Sequence, residues 1–368
     1  MVLLREVILA GDAGPASISP ALLNRRDPVA AIPARRTRDL LPRIPPSPYY
    51  PCVRLNDIPI DDTFAEAFGM RGARVIITAR TLHWARTAAL EMTGFATSVI
   101  ACKCEAGIER ELAPSDTPDG RPGISVLLFT MDSDSLPKRL VERIGQTVLT
   151  CPTTACFDGL PDAPDRILVG KPLRVFGDGF QGSKVIAGRR YWRIPVMEGE
   201  FLIDESFGKV KGVGGGNFLI LADHDESALE AAEAAVQTMR GMPGIILPFP
   251  GGIVRSGSKV GSKRYKNMIA TTNDAFAPTL RAITNTALPD GVNAVLEIVL
   301  DGVDFTSIAA AMRAGITAAC RPGVRAITAG NYGGKLGPHH FHLHRILSGD
   351  LTPLPPATPP ATPTPSPA

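Results

Sequence analysis

The residues with most to offer chemically lie between 248 and 297. Residues 248–263 read Pro-Phe-Pro-Gly-Gly-Ile-Val-Arg-Ser-Gly-Ser-Lys-Val-Gly-Ser-Lys. Glycines let a backbone come close to a ligand, and the hydroxyls and cations beside them suit anions. Arg255, Ser256, Ser258, Lys259, Ser262 and Lys263 are therefore candidate contacts for a polyanionic substrate. The alternative is a solvated basic loop. The stretch is a near miss to a P-loop, since Ser258 stands where that motif has lysine, and this argues against a nucleoside triphosphate. Further on, residues 292–300 (Val-Asn-Ala-Val-Leu-Glu-Ile-Val-Leu) read as a strand whose only ionisable member is Glu297. Both faces of that strand are apolar, so Glu297 is expected to be buried. A buried carboxyl must be paired or protonated, which makes it a candidate proton carrier.

Other constellations are weaker. Asn273 and Asp274 follow the basic loop and join the candidate binding set, although turn formation also explains them. Residues 212–217 (Gly-Val-Gly-Gly-Gly-Asn) lack the last glycine of a dinucleotide fingerprint and precede a strand, where that fingerprint precedes a helix. They and residues 330–334 (Gly-Asn-Tyr-Gly-Gly) are expected to be turns, with Asn217 and Asn331 lining the cleft. The 339–344 run carries four histidines, and on a strand His340, His342 and His344 would share a face. No carboxylate or cysteine stands at ligand spacing, so no metal is expected. Glu198 and Glu200, at a strand end, are explained by a turn.

Composition bounds the function. The chain has 368 residues and a net charge of +3, too weak for a nucleic-acid surface. It has no apolar run long enough for a membrane helix. Its six cysteines lack framework spacing, which suggests reduced thiols in the cytoplasm. Residues 1–54 are Arg- and Pro-rich without periodicity, and 349–368 form a Pro/Thr tail. Both are expected to be disordered. A transit peptide or a start codon placed too far upstream are other readings of the first stretch.

The elements that must position these residues follow from the pattern between the two ends. Strands are expected at 74–79, 97–102 and 124–129, with helices at 81–92 and 134–148 and a short strand within 148–156. The order β-α-β-β-α-β is ferredoxin-like. It recurs as strands at 217–222, 244–254, 292–300 and 324–329 with helices at 226–239 and 305–320. The fold class is thus α+β, with two duplicated ferredoxin-like lobes (55–172 and 211–348) and a β insertion at 173–210. Aligning the Asp119-Gly120 and Asp290-Gly291 turns places Glu297 opposite Val126. An RNA-binding role for such units would need aromatic-rich strands, which are missing.

These same stretches resemble the formylmethanofuran–tetrahydromethanopterin formyltransferase family. The matching runs are 62–68 (Asp-Thr-Phe-Ala-Glu-Ala-Phe), 93–95 with 97–100, 117–123 (Thr-Pro-Asp-Gly-Arg-Pro-Gly), 176–179 and 198–201. They continue at 248–254, 258–263, 272–275, 329–331, 333–337 and 342–344. The resemblance spans about 55–347. It implies transfer of a formyl group between N5 of tetrahydromethanopterin and the amine of methanofuran, with no bound cofactor and with Glu297 as the catalytic residue. It also implies a homotetramer built as a dimer of dimers. The slightly basic composition resembles the bacterial form, which implies partner subunits of a formyltransferase/hydrolase complex and a role in formaldehyde oxidation. The rival implication is a subunit that binds the pterin without turnover, and retention of Glu297 argues against it.

Overall fold

Alternating apolar residues build the centre of the molecule. A computed structural model describes residues 53–353. The expected disorder of the termini concerns residues that lie, but for their inner edges, outside that range. In the first half, β1 (Phe64–Thr78), α1 (Leu82–Thr93), β2 (Glu105–Leu112), β3 (Gly123–Thr130), α2 (Ser135–Arg143) and β4 (Ala155–Asp158) follow in turn. Three strands then extend the sheet: β5 (Gly182–Ile186), β6 (Arg189–Val196) and β7 (Gly199–Asp204). The second half has β8 (Ser206–Ala222), α3 (Asp225–Met239), β9 (Ile245–Ile246), β10 (Ser258–Val260), β11 (Ala270–Thr272), β12 (Ala294–Gly302), α4 (Phe305–Ala319), β13 (Val324–Thr328), β14 (His339–His342) and α5 (Leu343–Ser348).

Strand order is the same in both halves. It runs β4-β1-β3-β2 in the first and β13-β8-β12-β9 in the second, with every neighbouring pair antiparallel. β1 and β8 also pair with each other, Phe68 opposite Gly214 and Gly72 opposite Val210, so the two halves share one sheet. β7 joins β4 in parallel, which makes the sheet mixed. The fold is thus α+β around a large mixed sheet.

Helix signals were local and sufficient. The Thr81 hydroxyl accepts the Trp84 N–H at the start of α1, and the Asp304 carboxylate accepts the Ser307 N–H at 2.7 Å at the start of α4. Their alanine-rich inner faces let α3 and α4 lie close on the sheet. Phe218, Ile220, Ile298 and Leu300 are sealed beneath them. Each such aromatic or branched side chain contributes ~2 kcal/mol by leaving water.

Several expectations need correction. Residues 97–102 are not a strand: Val99–Cys102 is a single helical turn capped by Ser98, and the strand begins at Glu105. A short apolar run cannot choose its period alone, and the Glu105 carboxylate accepting the Val99 N–H at 3.0 Å stabilises the turn. Leu173 to Phe176 are helical, because Pro172 suits a first turn and Arg174 stacks 5.0 Å over the Trp192 ring. The 212–217 glycines lie inside β8, not in a turn. A Cβ on Gly214 would sit 2.2 Å from the Met70 sulfur, so glycine here permits close approach of β1. Of 244–254, only Ile245–Ile246 forms a strand, since the prolines interrupt it. The strand of the histidine run stops at His342 and His344 lies in the helix that begins at Leu343, so the three alternate histidines do not share a strand face. At the edges, β8 runs continuously through 210–211, and the Asp350 carboxylate accepts from Arg345 Nε at 3.0 Å.

Candidate active site

Glu297 sits on β12 opposite Leu219 of β8. Side chains alternate along the strand, so Glu297 points away from α3 and α4, on the same face as Val295. That face is covered by the long connection between β9 and β12, through Phe276, Leu288 and Val292. It is half-buried rather than sealed, so the expectation of a strand buried on both sides holds only for the helical face. The alignment with Val126 also fails, since the two residues lie on opposite faces of their strands. Val126 is packed under α1 and α2, on the helical face. A one-residue offset inverts every side chain on a strand.

The protein around Glu297 excludes enough water to push its carboxyl up to about 7. No cation is paired with it among the described residues, so a proton stabilises it instead. The glycine- and lysine-rich loop is tied to this residue: Val254 donates to the Glu297 carbonyl at 2.8 Å and Glu297 donates back at 2.9 Å. The loop and the residue singled out separately in sequence are therefore joined through their backbones.

Beyond Val254 the loop becomes the hairpin β10–β11, with Ser258 opposite Thr272. Asp274 clamps its base. It lies 2.7 Å from Lys259 Nζ and 2.6 Å from Lys263 Nζ, and these two ammonium groups hold its carboxyl below the ordinary range. Lys259 also donates to the Thr272 carbonyl at 2.6 Å. Both lysines thus already have an anionic partner within the hairpin. Arg255 and Ser256 are exposed at its entrance. The Ser262 hydroxyl accepts N–H groups from Arg264 and Tyr265 and shapes the tip. Asn273 is held through its backbone N–H to the Gly257 carbonyl.

Asn217 and Asn331 anchor a second loop beside the first. The Asn217 amide donates to the Gly330 carbonyl at 3.3 Å and accepts the Gly330 N–H at 2.7 Å. The Asn331 amide donates to the Thr63 hydroxyl and the Phe64 carbonyl. Two residues missed in sequence complete this corner. Glu66, 2% exposed, accepts backbone N–H groups from Tyr332 (2.7 Å), Gly334 (3.0 Å), Gly337 (3.0 Å) and Leu336. Burial opposes its charge, but these four donors outweigh it and hold the carboxyl below its ordinary value. The Tyr332 phenol donates to the Ser258 carbonyl at 3.1 Å. Burial raises its pKa, and the charges of Glu297 and Glu66 add to the shift. Tyr332 therefore stands near both carboxyls. The available signal was a lone acid in an otherwise apolar strand segment, 64–68, within one of the matching motifs.

The histidines serve structure here. His340 and His342 flank the Phe64 ring at 4.7 and 5.1 Å, and His344 Nε2 bonds the Ile60 carbonyl at 2.8 Å. Among the described residues no three His, Cys, Asp or Glu side chains are grouped to hold a metal.

Comparison with known proteins gives the family. A family model described as formylmethanofuran-tetrahydromethanopterin formyltransferase matches residues 53–196, and its companion, described as the proximal lobe, matches 199–346. A formyltransferase of that name from Methylobacillus flagellatus is 61% identical, covering 80% of this chain and 99% of its own. A subunit of the formyltransferase/hydrolase complex from Methylorubrum extorquens is 52% identical, covering 80% and 97%. The solved formyltransferase from Methanosarcina barkeri is 54% identical and superimposes with a TM-score of 0.77, over 80% of this chain and 100% of its own. A chain of the formyltransferase/hydrolase complex from Methylorubrum extorquens, solved with methylofuran, has 51% identity and a TM-score of 0.78, covering 80% and 98%. The chain belongs to the formylmethanofuran–tetrahydromethanopterin formyltransferase family.

Proposed function

We propose that Glu297 handles the proton during formyl transfer between N5 of tetrahydromethanopterin and the amine of a methanofuran. As a family member the chain is a formyltransferase of one-carbon metabolism with these two carriers as substrates. What carries the role of Glu297 is its setting: a half-buried carboxyl with a raised pKa, on a residue hydrogen-bonded through its backbone to a glycine-rich loop.

The chemistry uses that setting directly. One substrate nitrogen attacks the formyl carbon, forming a C–N bond and a tetrahedral oxyanion. The protonated carboxyl donates a hydrogen bond to that oxygen. As the original C–N bond breaks, the carboxyl gives its proton to the departing nitrogen and takes up the one lost by the attacking amine, ending protonated as it began. No covalent enzyme intermediate is required.

The remaining assignments are part of the same proposal. Arg255, Ser256, Ser258, Lys259, Ser262, Lys263 and Asn273 face the anionic parts of the substrates, and Asp274 orients the two lysines. Asn217 and Asn331 brace the adjoining loop. The shared strand order supports an origin by duplication of a ferredoxin-like lobe. Similarity to the Methylorubrum extorquens protein supports assembly with other subunits of a formyltransferase/hydrolase complex; a homotetrameric core and a cytoplasmic location belong to the same proposal and rest on the family resemblance alone.

The test is formyl transfer by purified protein beside Glu297→Gln. Wild type turns over and the variant loses at least ~100-fold in kcat. Equal activity of the variant would reject Glu297. An inactive wild type, even with partner subunits, would favour a pterin-binding subunit without turnover.

A further inference from the structure

We propose that Glu66 is a positioning residue for formyl transfer: it holds residues 332–337 so that Tyr332 bridges to the catalytic loop beside Glu297. This rests on the reading of Glu297 as the proton carrier. The observation is four backbone N–H groups of one loop converging on one buried carboxylate. Gly333 and Gly334 have φ of 70° and 74°, the left-handed region, which lets the chain curl so that its N–H groups turn inward. Such a curl is an anion nest, and here the anion is the protein's own side chain.

An ordinary loop needs no such device. Burying a charge is costly, and a carboxylate with four donors repays that cost only by fixing all four donors in place. What it fixes is Tyr332. The Tyr332 N–H is on Glu66, its phenol is on the Ser258 carbonyl, and the Ser258 segment continues from Val254, which is hydrogen-bonded to Glu297. The chain of contacts leads from Glu66 through Tyr332, Ser258 and Val254 to Glu297. Tyr332 also lies close enough to Glu297 for its phenol to feel the carboxylate charge. Held there, it limits water around the Glu297 carboxyl and keeps the proton on it. If the loop is released, water enters and the carboxyl ionises at lower pH.

The test compares wild type, Glu66→Gln and Tyr332→Phe. A glutamine turns an N–H₂ group toward backbone donors and cannot accept all four. Trypsin reports the clamp without any need for turnover, because Lys335 is exposed within the loop. Glu66→Gln is expected to be cut after Lys335 at least ~10-fold faster, since cleavage follows local opening. Its kcat is expected to fall at least ~10-fold with a smaller change in KM. The alkaline limb of its rate profile is expected to move down by about one pH unit. Unchanged cleavage, or faster cleavage with kcat and the alkaline limb unmoved, overturns the proposal. Should Glu66→Gln not fold, Tyr332→Phe decides. It keeps the clamp and its trypsin resistance, and its alkaline limb must still move down; an unmoved limb overturns the proposal. If wild type does not turn over, the function itself is rejected. The Glu297 carboxyl is then titrated by difference infrared spectroscopy, with Glu297→Gln as the assignment. A titration lowered in Glu66→Gln supports the positioning role, and one left unchanged overturns it.

Discussion

Glu297 combines a catalytic asset with a stability cost. Its folded pKa is about 7 because burial disfavours the charge, while an unfolded glutamate titrates near ~4.3. Between these values the folded state binds more protons than the unfolded state. Stability is therefore complete below the unfolded pKa and falls as pH rises toward 7. Glu297→Gln removes this decline. In thermal or denaturant unfolding the variant should match wild type near pH ~4 and exceed it by ~1 kcal/mol at pH ~8, a figure discounted for the open side of the residue. A variant less stable than wild type at pH ~8 would show that the glutamate has an unseen partner. Arg255 belongs to the same scale. It is exposed at the loop entrance, whereas Lys259 and Lys263 are bound to Asp274. Arg255→Ala is expected to raise KM for one anionic substrate by ~10-fold with kcat nearly unchanged, and the effect should shrink in high salt. Steady-state kinetics at two ionic strengths checks this. Glu297 and the loop were visible in sequence because each breaks its local pattern. The Asp274 clamp was half visible: charge and proximity were there, but only folding showed that the anion serves the lysines.

At the scale of elements, what was legible was local, and what was missed depended on partners. Helices α1, α3 and α4 were legible because their composition and apolar spacing lie within each segment. The 212–216 glycines were misread because their reason lies in another strand. β1 crosses β8 so closely that Met70 occupies the space a side chain at 214 would need. Gly214→Ala must push that sulfur, and the strand with it. Overpacking of this kind costs ~1–3 kcal/mol, so the melting temperature should drop by several degrees, with both halves melting together because the crossing joins them. Combining it with Met70→Ala should recover part of the loss. The reading of Val126 as the counterpart of Glu297 failed for a related reason. Turn and helix motifs aligned the halves correctly as elements, but a strand's facing is decided by a single residue of offset. Glu66 was missed because its donors lie more than two hundred residues further along the chain.

The whole molecule depends on carboxyls where its halves meet. Glu109 of β2 receives Arg74 twice at 2.8 Å, the Ser125 hydroxyl at 2.6 Å and, from the other half, the Gly244 N–H at 2.6 Å. Satisfied in this way it remains charged, its carboxyl held down by these donors against the effect of burial. Glu105 of β2 and Asp301 of β12 meet differently. Both are buried, they face each other across the two halves, and one Asp301 oxygen finds no donor among the described residues. Asp301 otherwise accepts the Gly215 N–H, and Glu105 the Val99 N–H. Arg74, the cation of this junction, is committed to Glu109. Two carboxyls in contact without a cation can be satisfied by one shared proton, which gives the idle oxygen its hydrogen bond. Burial, and for Asp301 the neighbouring acid as well, raise both groups above the usual range. The sign follows as for Glu297: the folded state retains protons that the unfolded state releases above pH ~4, so stability falls with rising pH until the pair ionises. Glu105→Gln replaces the shared proton with a permanent N–H donor. The variant should lose less stability than wild type between about pH 5 and pH 9, as read by urea midpoints at each pH. Glu105→Ala removes the donor along with the charge and leaves the Asp301 oxygen idle, so it should be less stable than wild type at the acidic end. Parallel curves for wild type and Glu105→Gln would mean that the two carboxyls do not share a proton and that the junction relies on Glu109 and apolar packing alone.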